Sequence, residues 1–215
     1  MLQDLNYTFD DAGNVTAIAD PATLGGTSRA ETQCFTYDGH RRLTEAWTPT
    51  SQNCADVPST GSLSGPAPYR TSYTYTTAGQ RGTETQHKTT GNTKATYCYT
   101  GTQPHTLMAT STKADCVNPD QTYTYDQTGN TIRRPGKTST QVLDWSTEGQ
   151  LTGVTEADTT NYLYDADGTL LIRTTENGER VLYAGATELH LKANNTTWAQ
   201  RYYASGDLTV AVRTN

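Results

Sequence analysis

Tyr162-Leu-Tyr164-Asp165-Ala-Asp-Gly168-Thr169, running on into Leu170-Leu-Ile-Arg173, decides the fold. Residues i and i+2 of a strand share a face, so Tyr162 and Tyr164 point the same way. The next four residues make a turn. Asp165 can accept a hydrogen bond from the backbone two residues on, and Gly168 can take a positive φ. A type I turn closed by a left-handed glycine is a common hairpin loop. A second strand, Thr169–Arg173, follows. The stretch is one β-hairpin, which alone is marginal in water, so it must lie against others like it.

Others like it run through the chain. Close copies are Tyr7-Thr-Phe9-Asp10-Asp-Ala-Gly13-Asn14, Phe35-Thr-Tyr37-Asp38 and Tyr123-Thr-Tyr125-Asp126-Gln-Thr-Gly129-Asn130. Looser ones are Tyr73-Thr-Tyr75-Thr-Thr-Ala-Gly79-Gln80, Tyr97-Cys-Tyr99-Thr-Gly101 and Leu143-Asp-Trp145-Ser-Thr-Glu-Gly149-Gln150, with degenerate copies at Tyr183 and Tyr203. The second aromatics of the last five frames are roughly 20 residues apart, the scale of a stacked supersecondary unit. Residues 1–215 therefore read as a single array of about nine hairpins. An irregular insertion rich in Pro, Gly and Ser interrupts it over 48–70.

The composition fits this pattern. Leu, Ile, Val and Phe supply only 28 of 215 residues, a level at which disorder is usually suspected. The net charge of −6 is too small to force the chain open, and the chain carries 14 Tyr and 3 Trp. Most aromatics fall inside the repeat frames, so a patterned Tyr set stands in for missing aliphatics. About one residue in five is Thr, which with Tyr favours strands. The expectation is an all-β chain. No run of 18 apolar residues is present, so no transmembrane helix is expected. The opening MLQDLNYTFDD lacks the basic start and apolar run of a secretion leader. A pI near 5.1 argues against nucleic-acid binding.

The frames at 7–16, 123–131 and 162–170 resemble the RHS or YD repeat, Y-x-Y-D-x-x-G-[NR]-[LVT]. Phe35-Thr-Tyr37-Asp38-Gly-His-Arg-Arg42-Leu43 is similar, as is Val181–Leu189 followed by Arg201–Gly206. The resemblance implies antiparallel hairpin repeats in a curved, spiralling sheet, part of a hollow shell. In secreted bacterial toxins and insecticidal toxin complexes such shells enclose a C-terminal toxic domain. In animal teneurins a similar shell serves adhesion. A full shell needs many more strands than nine hairpins, and the family's C-terminal core motif is absent. The chain is thus expected to be an interior piece. Its implied partners are the rest of the shell and an enclosed toxin domain, and its implied setting is secreted or cell-surface.

Cys34, Cys54, Cys98 and Cys116 form no C-x-x-C, which disfavours a zinc ribbon or thioredoxin-type site. Three disulfide pairings are open, as are free thiols. The sequential pairing would close two loops of about 20 residues, each stabilising by about 3 kcal/mol in the chain-entropy view.

No residue is assigned a catalytic, cofactor-binding or metal-binding role. His40, His87, His105 and His190 are scattered over polar turn and strand contexts, and no H-E-x-x-H, G-x-S-x-G or P-loop occurs. Gly61-Ser-Leu-Ser-Gly65 misses the nucleophile elbow by one residue and reads as linker. The Asp10-Asp11 and Asp165–Gly168 turns begin like calcium loops but lack the third acidic position and the closing Glu. Asn195-Thr-Thr-Trp198-Ala-Gln-Arg-Tyr202-Tyr203-Ala-Ser-Gly206 looks superficially like a choline- or glucan-binding unit. That makes a carbohydrate- or choline-binding module at a cell surface or cell wall the alternative to a non-catalytic shell segment.

Overall fold

The computed structural model describes residues 4–21, 23–24, 27–28 and 30–215. The chain is all-β, with antiparallel pairing throughout the described residues and a single turn of 3-10 helix at Thr60–Ser62. It divides into two compact units, residues 1–120 and 121–215.

In the first unit the strands are β1 (Asn6–Phe9), β2 (Val15–Asp20), β3 (Thr23–Leu24), β4 (Thr27–Ser28), β5 (Glu31–Tyr37), β6 (Leu43–Trp47), β7 (Arg70–Tyr75), β8 (Arg81–Gln86), β9 (Thr93–Cys98) and β10 (Ala109–Ser111). The short β3 and β4 pair with each other, and the rest lie side by side in chain order. The second unit starts with the two-residue β11 (Gln121–Thr122). It continues with β12 (Thr124–Tyr125), β13 (Thr131–Pro135), β14 (Thr140–Trp145), β15 (Leu151–Thr155), β16 (Thr159–Tyr164), β17 (Leu170–Thr175), β18 (Arg180–Ala184), β19 (Thr187–Leu191), β20 (Thr197–Ser205) and β21 (Leu208–Thr214). Strands β12 to β21 are again ordered as in the chain. Neither sheet closes on itself.

The β3–β4 pair apart, consecutive strands within each sheet lie side by side, so contacts run mainly between neighbouring strands. The repeat accounts for this: a short turn returns the chain beside itself, and the next turn does the same. At the second aromatic of most frames the ladder slips by one residue. Tyr37 faces Leu43 while Thr36 faces Glu45, which leaves Thr44 as the extra residue of a bulge. The same slip occurs at Phe9, Tyr75, Tyr125, Trp145 and Tyr164. A bulge raises the local twist and lets the turn close with a left-handed residue.

Burial alternates as the strand reading requires. Tyr162 and Tyr164 are half-buried on one face while Leu163 is 56% exposed on the other. Between Tyr73 and Tyr75, Thr74 is exposed and meets Thr83 across the ladder, hydroxyl to hydroxyl at 2.8 Å. Apart from the exposed Tyr7 and Tyr203, the Tyr set is half-buried, not fully enclosed. Among the described residues the buried apolar side chains are few: Cys34, Ala46, Trp47, Cys98 and Ala109 in the first unit, and Leu143 and Val181 in the second.

Both disulfides lie in the first unit and join the sequential pairs, Cys34–Cys54 and Cys98–Cys116. Cys34 is fully buried on β5, so its bridge anchors the segment after β6 to the sheet. That segment is ordered around the buried Thr48. The Thr48 amide donates to the Tyr69 carbonyl at 3.0 Å, and the Thr48 hydroxyl accepts from the Tyr69 amide at 3.0 Å. The Thr48 carbonyl accepts from the Ser64 amide at 3.0 Å. One residue, through its amide, carbonyl and hydroxyl, thus holds the insertion and returns the chain into β7.

Candidate functional site

The repeated feature is the turn. In the first frame Asp10 Oδ1 accepts from the Ala12 and Asn14 amides at 3.0 and 2.8 Å, and Gly13 turns with φ of 82°. Asp38 accepts from the His40 and Arg42 amides, Asp126 from Thr128 and Asn130, and Asp165 from Asp167 and Thr169, all at 2.9 to 3.0 Å. The Ser146 hydroxyl takes the same place in its frame, accepting from the Glu148 and Gln150 amides. A short oxygen acceptor followed by a left-handed residue satisfies the inward amides of the loop. In the second frame the left-handed slot, filled by Gly13, Gly79, Gly129, Gly149 and Gly168 elsewhere, is held by Arg41 at φ 61°.

The residue after that slot completes the loop. Asn14 Nδ2 donates to Asp10 Oδ2 at 2.7 Å, Arg42 Nε to Asp38 Oδ2 at 2.7 Å, and Asn130 Nδ2 to Asp126 Oδ2 at 3.0 Å. These donors hold the carboxyls below their ordinary range. The Arg42 side chain, and then its amide, bring Asp38 down to about 2. The Thr128 hydroxyl, with Asn130 assisting, does the same for Asp126, also to about 2. Sequence reading placed the Asp–amide bond in these turns but missed this second clasp. The Asn or Arg at the eighth position of the motif was its signal.

The second repeated feature links one hairpin to the next. The Tyr37 hydroxyl donates to the Val15 carbonyl at 2.8 Å, Tyr75 to Leu43 at 2.7 Å, and Tyr164 to Leu151 at 2.9 Å. Trp145 Nε1 donates to the Thr131 carbonyl at 2.8 Å. Every acceptor is the first residue of the second strand in the preceding hairpin. The second aromatic of the motif therefore packs on its neighbour and also bonds its backbone, through an O–H or N–H at the ring's far end. Cations brace the same seams. The Arg42 guanidinium lies 4.5 Å from the Tyr75 ring, and Arg81 lies 4.9 Å from Tyr73 and 5.5 Å from Tyr97.

The histidines do not converge. His40 is exposed in the second turn and His105 in the segment after β9. His190 stacks on Trp198 at 3.8 Å between ring centroids and meets Glu188 at 3.1 Å. One face of the Trp198 ring is thus occupied from within the sheet. The hydroxyl of its neighbour in the motif, Tyr202, donates to Glu188. His87 follows β8, with Nε2 at 2.8 Å from the Ser72 hydroxyl. Burial, aided by the Arg70 cation, pushes His87 below the ordinary imidazole range against the pull of Glu45. Among the described residues no three His, Cys, Asp or Glu side chains gather where a metal could sit. Among the described residues no helix is long and apolar enough to cross a membrane.

No family model matches the sequence, and no curated protein matches it. Solved structures do resemble it. The crystal structure of TcdB2-TccC3-Cdc42 aligns with a TM-score of 0.66 at 21% identity, covering 95% of this chain. Those of TcdB2-TccC3-TEV and TcdB2-TccC3 align with TM-scores of 0.65 and 0.63, again at 21% identity. This chain spans 11% of the length of each of those chains. Over nearly all its length the protein therefore has the fold of a stretch of TcdB2-TccC3.

Proposed function

We propose that the chain is a non-catalytic wall segment of an RHS-type shell belonging to a secreted toxin, and that the shell encloses a C-terminal cargo domain. The observation that carries this reading is the recurring aromatic-to-carbonyl bond. In four frames, at Tyr37, Tyr75, Trp145 and Tyr164, it joins a hairpin to the previous one by the same rule in both units. A unit joined in this way can be added without limit, as a large wall requires. The likeness to a short stretch of a much longer solved chain supports the same reading. So do two disulfides, which persist in oxidising surroundings.

On this reading the Asp and Gly turns and the Tyr seams are the functional residues, and their work is mechanical. They keep a thin sheet continuous so that a folded or unfolded cargo behind it is out of reach. Limited proteolysis of the parent protein tests this. The cargo should survive protease concentrations that digest it when it is freed from the wall. Cleavage at equal rates in both states would refute the wall role.

A further inference from the structure

The face of the second sheet opposite its tyrosines carries a single file of aliphatic side chains. Leu163 pairs with Ile172, Ile172 with Leu182, Leu182 with Leu189, and Leu189 with Ala199. Residues directly opposite in antiparallel strands share a face, so these side chains form one line across β16 to β20. Leu163 is 56% and Leu189 45% exposed. A shallow hollow of about 200 Å³ opens beside the file, with Leu163, Ile172, Thr174 and Arg180 in its lining.

In the first unit the face opposite the aromatics is covered. Cys34 stands before Phe35-Thr-Tyr37 as Asn161 stands before Tyr162-Leu-Tyr164, and it pairs with Trp47. The insertion after β6 lies over both. Cys54 is bridged to Cys34, and Pro49, Val57 and Pro58 surround a small hollow at Trp47. Cys34 and Trp47 are accordingly buried. Short turns join β16 to β20, and the aliphatic file of the second unit stays open.

The rows on either side of the file set the charge of what can cover it. One row holds Arg180 between Thr174 and Leu191, and the other holds Arg201 between Thr187 and Arg213. None of these arginines is in an ion pair among the described residues. A second copy laid face to face would set guanidinium against guanidinium. The turns that end these strands carry Asp165, Asp167, Glu176 and Glu179, which a broad anionic surface would meet. A narrow acidic occupant lying between the turns meets only apolar groups and cations. Five strands about 4.8 Å apart span about 19 Å, the length of about 13 residues of α-helix. One helical turn, about 5.4 Å, is close to one strand spacing, so successive turns can each set an apolar side chain along the file.

We propose that this face docks an acidic amphipathic helix of a partner protein. Its apolar stripe lies along Leu163, Ile172, Leu182 and Leu189. Its carboxylates meet Arg180 on one side and Arg201 and Arg213 on the other. The docking role does not rest on the wall role; failure of either leaves the other standing.

Fluorescence anisotropy of the full chain with a labelled helical peptide of about 16 residues, a Leu stripe flanked by Glu, tests it. A second peptide carries Lys in place of each Glu. The acidic peptide should bind, and the basic one should bind about tenfold more weakly. Leu163→Thr with Leu189→Thr should weaken binding of the acidic peptide about fivefold, as should Arg180→Gln with Arg201→Gln. Circular dichroism of both double variants should match that of the parent chain. Val57→Thr, an exposed apolar site on the first unit, should leave binding unchanged. No binding of the acidic peptide, equal binding of the two peptides, or undiminished binding in either double variant would overturn the proposal. So would capture of the chain by phosphatidylserine vesicles that Leu163→Thr with Leu189→Thr abolishes, which would make the face a membrane surface.

Discussion

Arg41 sits in a backbone conformation that the other close frames give to glycine. An L-residue held there costs about 1–2 kcal/mol, partly offset by the greater chain entropy glycine loses on folding. Arg41→Gly should therefore stabilise the first unit by about 0.5–1 kcal/mol in urea unfolding. Gly149→Ala should do the reverse in the second unit, losing about 1 kcal/mol. A Cβ at Gly149 meets no atom within 4 Å, so that loss reports backbone strain alone. The seam bond is tested in the same way. Tyr37→Phe and Tyr164→Phe each keep the ring and leave a carbonyl short of its donor, at a cost of about 1 kcal/mol. Leu163→Thr, on the exposed face between Tyr162 and Tyr164, should change stability by less than about 0.5 kcal/mol.

The turn carboxylates give a pH dependence with a definite sign. Asp38, Asp126 and Glu156 are held at about 2, against ordinary values of 3.8 for Asp and 4.5 for Glu. For Glu156 the main cause is the Thr138 amide, helped by Gln141 and Ser139. Below the unfolded values the unfolded chain binds more protons than the folded one. Their contribution is therefore complete above the ordinary carboxylate range and drains away as pH falls towards 2. The melting temperature should be flat near neutrality and fall through that window. Asp38→Asn with Asp126→Asn should make the fall shallower. An acid limb of unchanged steepness in the double variant would remove the turns as its source.

At the scale of the element, the hairpin was legible in the sequence because each of its devices is local. Tyr-x-Tyr gives the shared face, Asp the loop acceptor and Gly the left-handed closure, all within about eight residues. The bond from Tyr164 to Leu151 was not legible. It depends on the register between separate hairpins, which the bulge at the second aromatic sets. Thr48 was invisible for a similar reason: its two bonds to Tyr69 join residues 21 apart. The cysteine pairing was one of three from sequence. The strand order settles it, because β5 and the insertion after β6 are adjacent. Replacing Cys34 and Cys54 by Ala should destabilise the first unit by about 3 kcal/mol. It should also expose the 48–69 segment, which holds no Lys or Arg, to a subtilisin-like protease before the strands are cut.

At the scale of the whole molecule, the two outermost strands carry apolar side chains in the open. On β1, Tyr7 is 49% and Phe9 60% exposed, their rings stacked at 6.4 Å. On β21, Leu208, Val210 and Val212 are 68%, 59% and 52% exposed. Each of these strands has one described neighbour in its sheet. Unpaired strands of this kind template pairing with other chains. Residues 1–215 alone should therefore associate in sedimentation velocity as concentration rises, and Val210→Lys should reduce that association.

The central claim is that these hairpins form part of a continuous wall around a cargo. Electron cryo-microscopy of the parent protein addresses it directly. The account predicts that β1 and β21 are each hydrogen-bonded to a further strand, in one sheet that bounds a closed cavity with density inside. A solvent-facing edge at either strand, or a sheet that bounds no cavity, would contradict it.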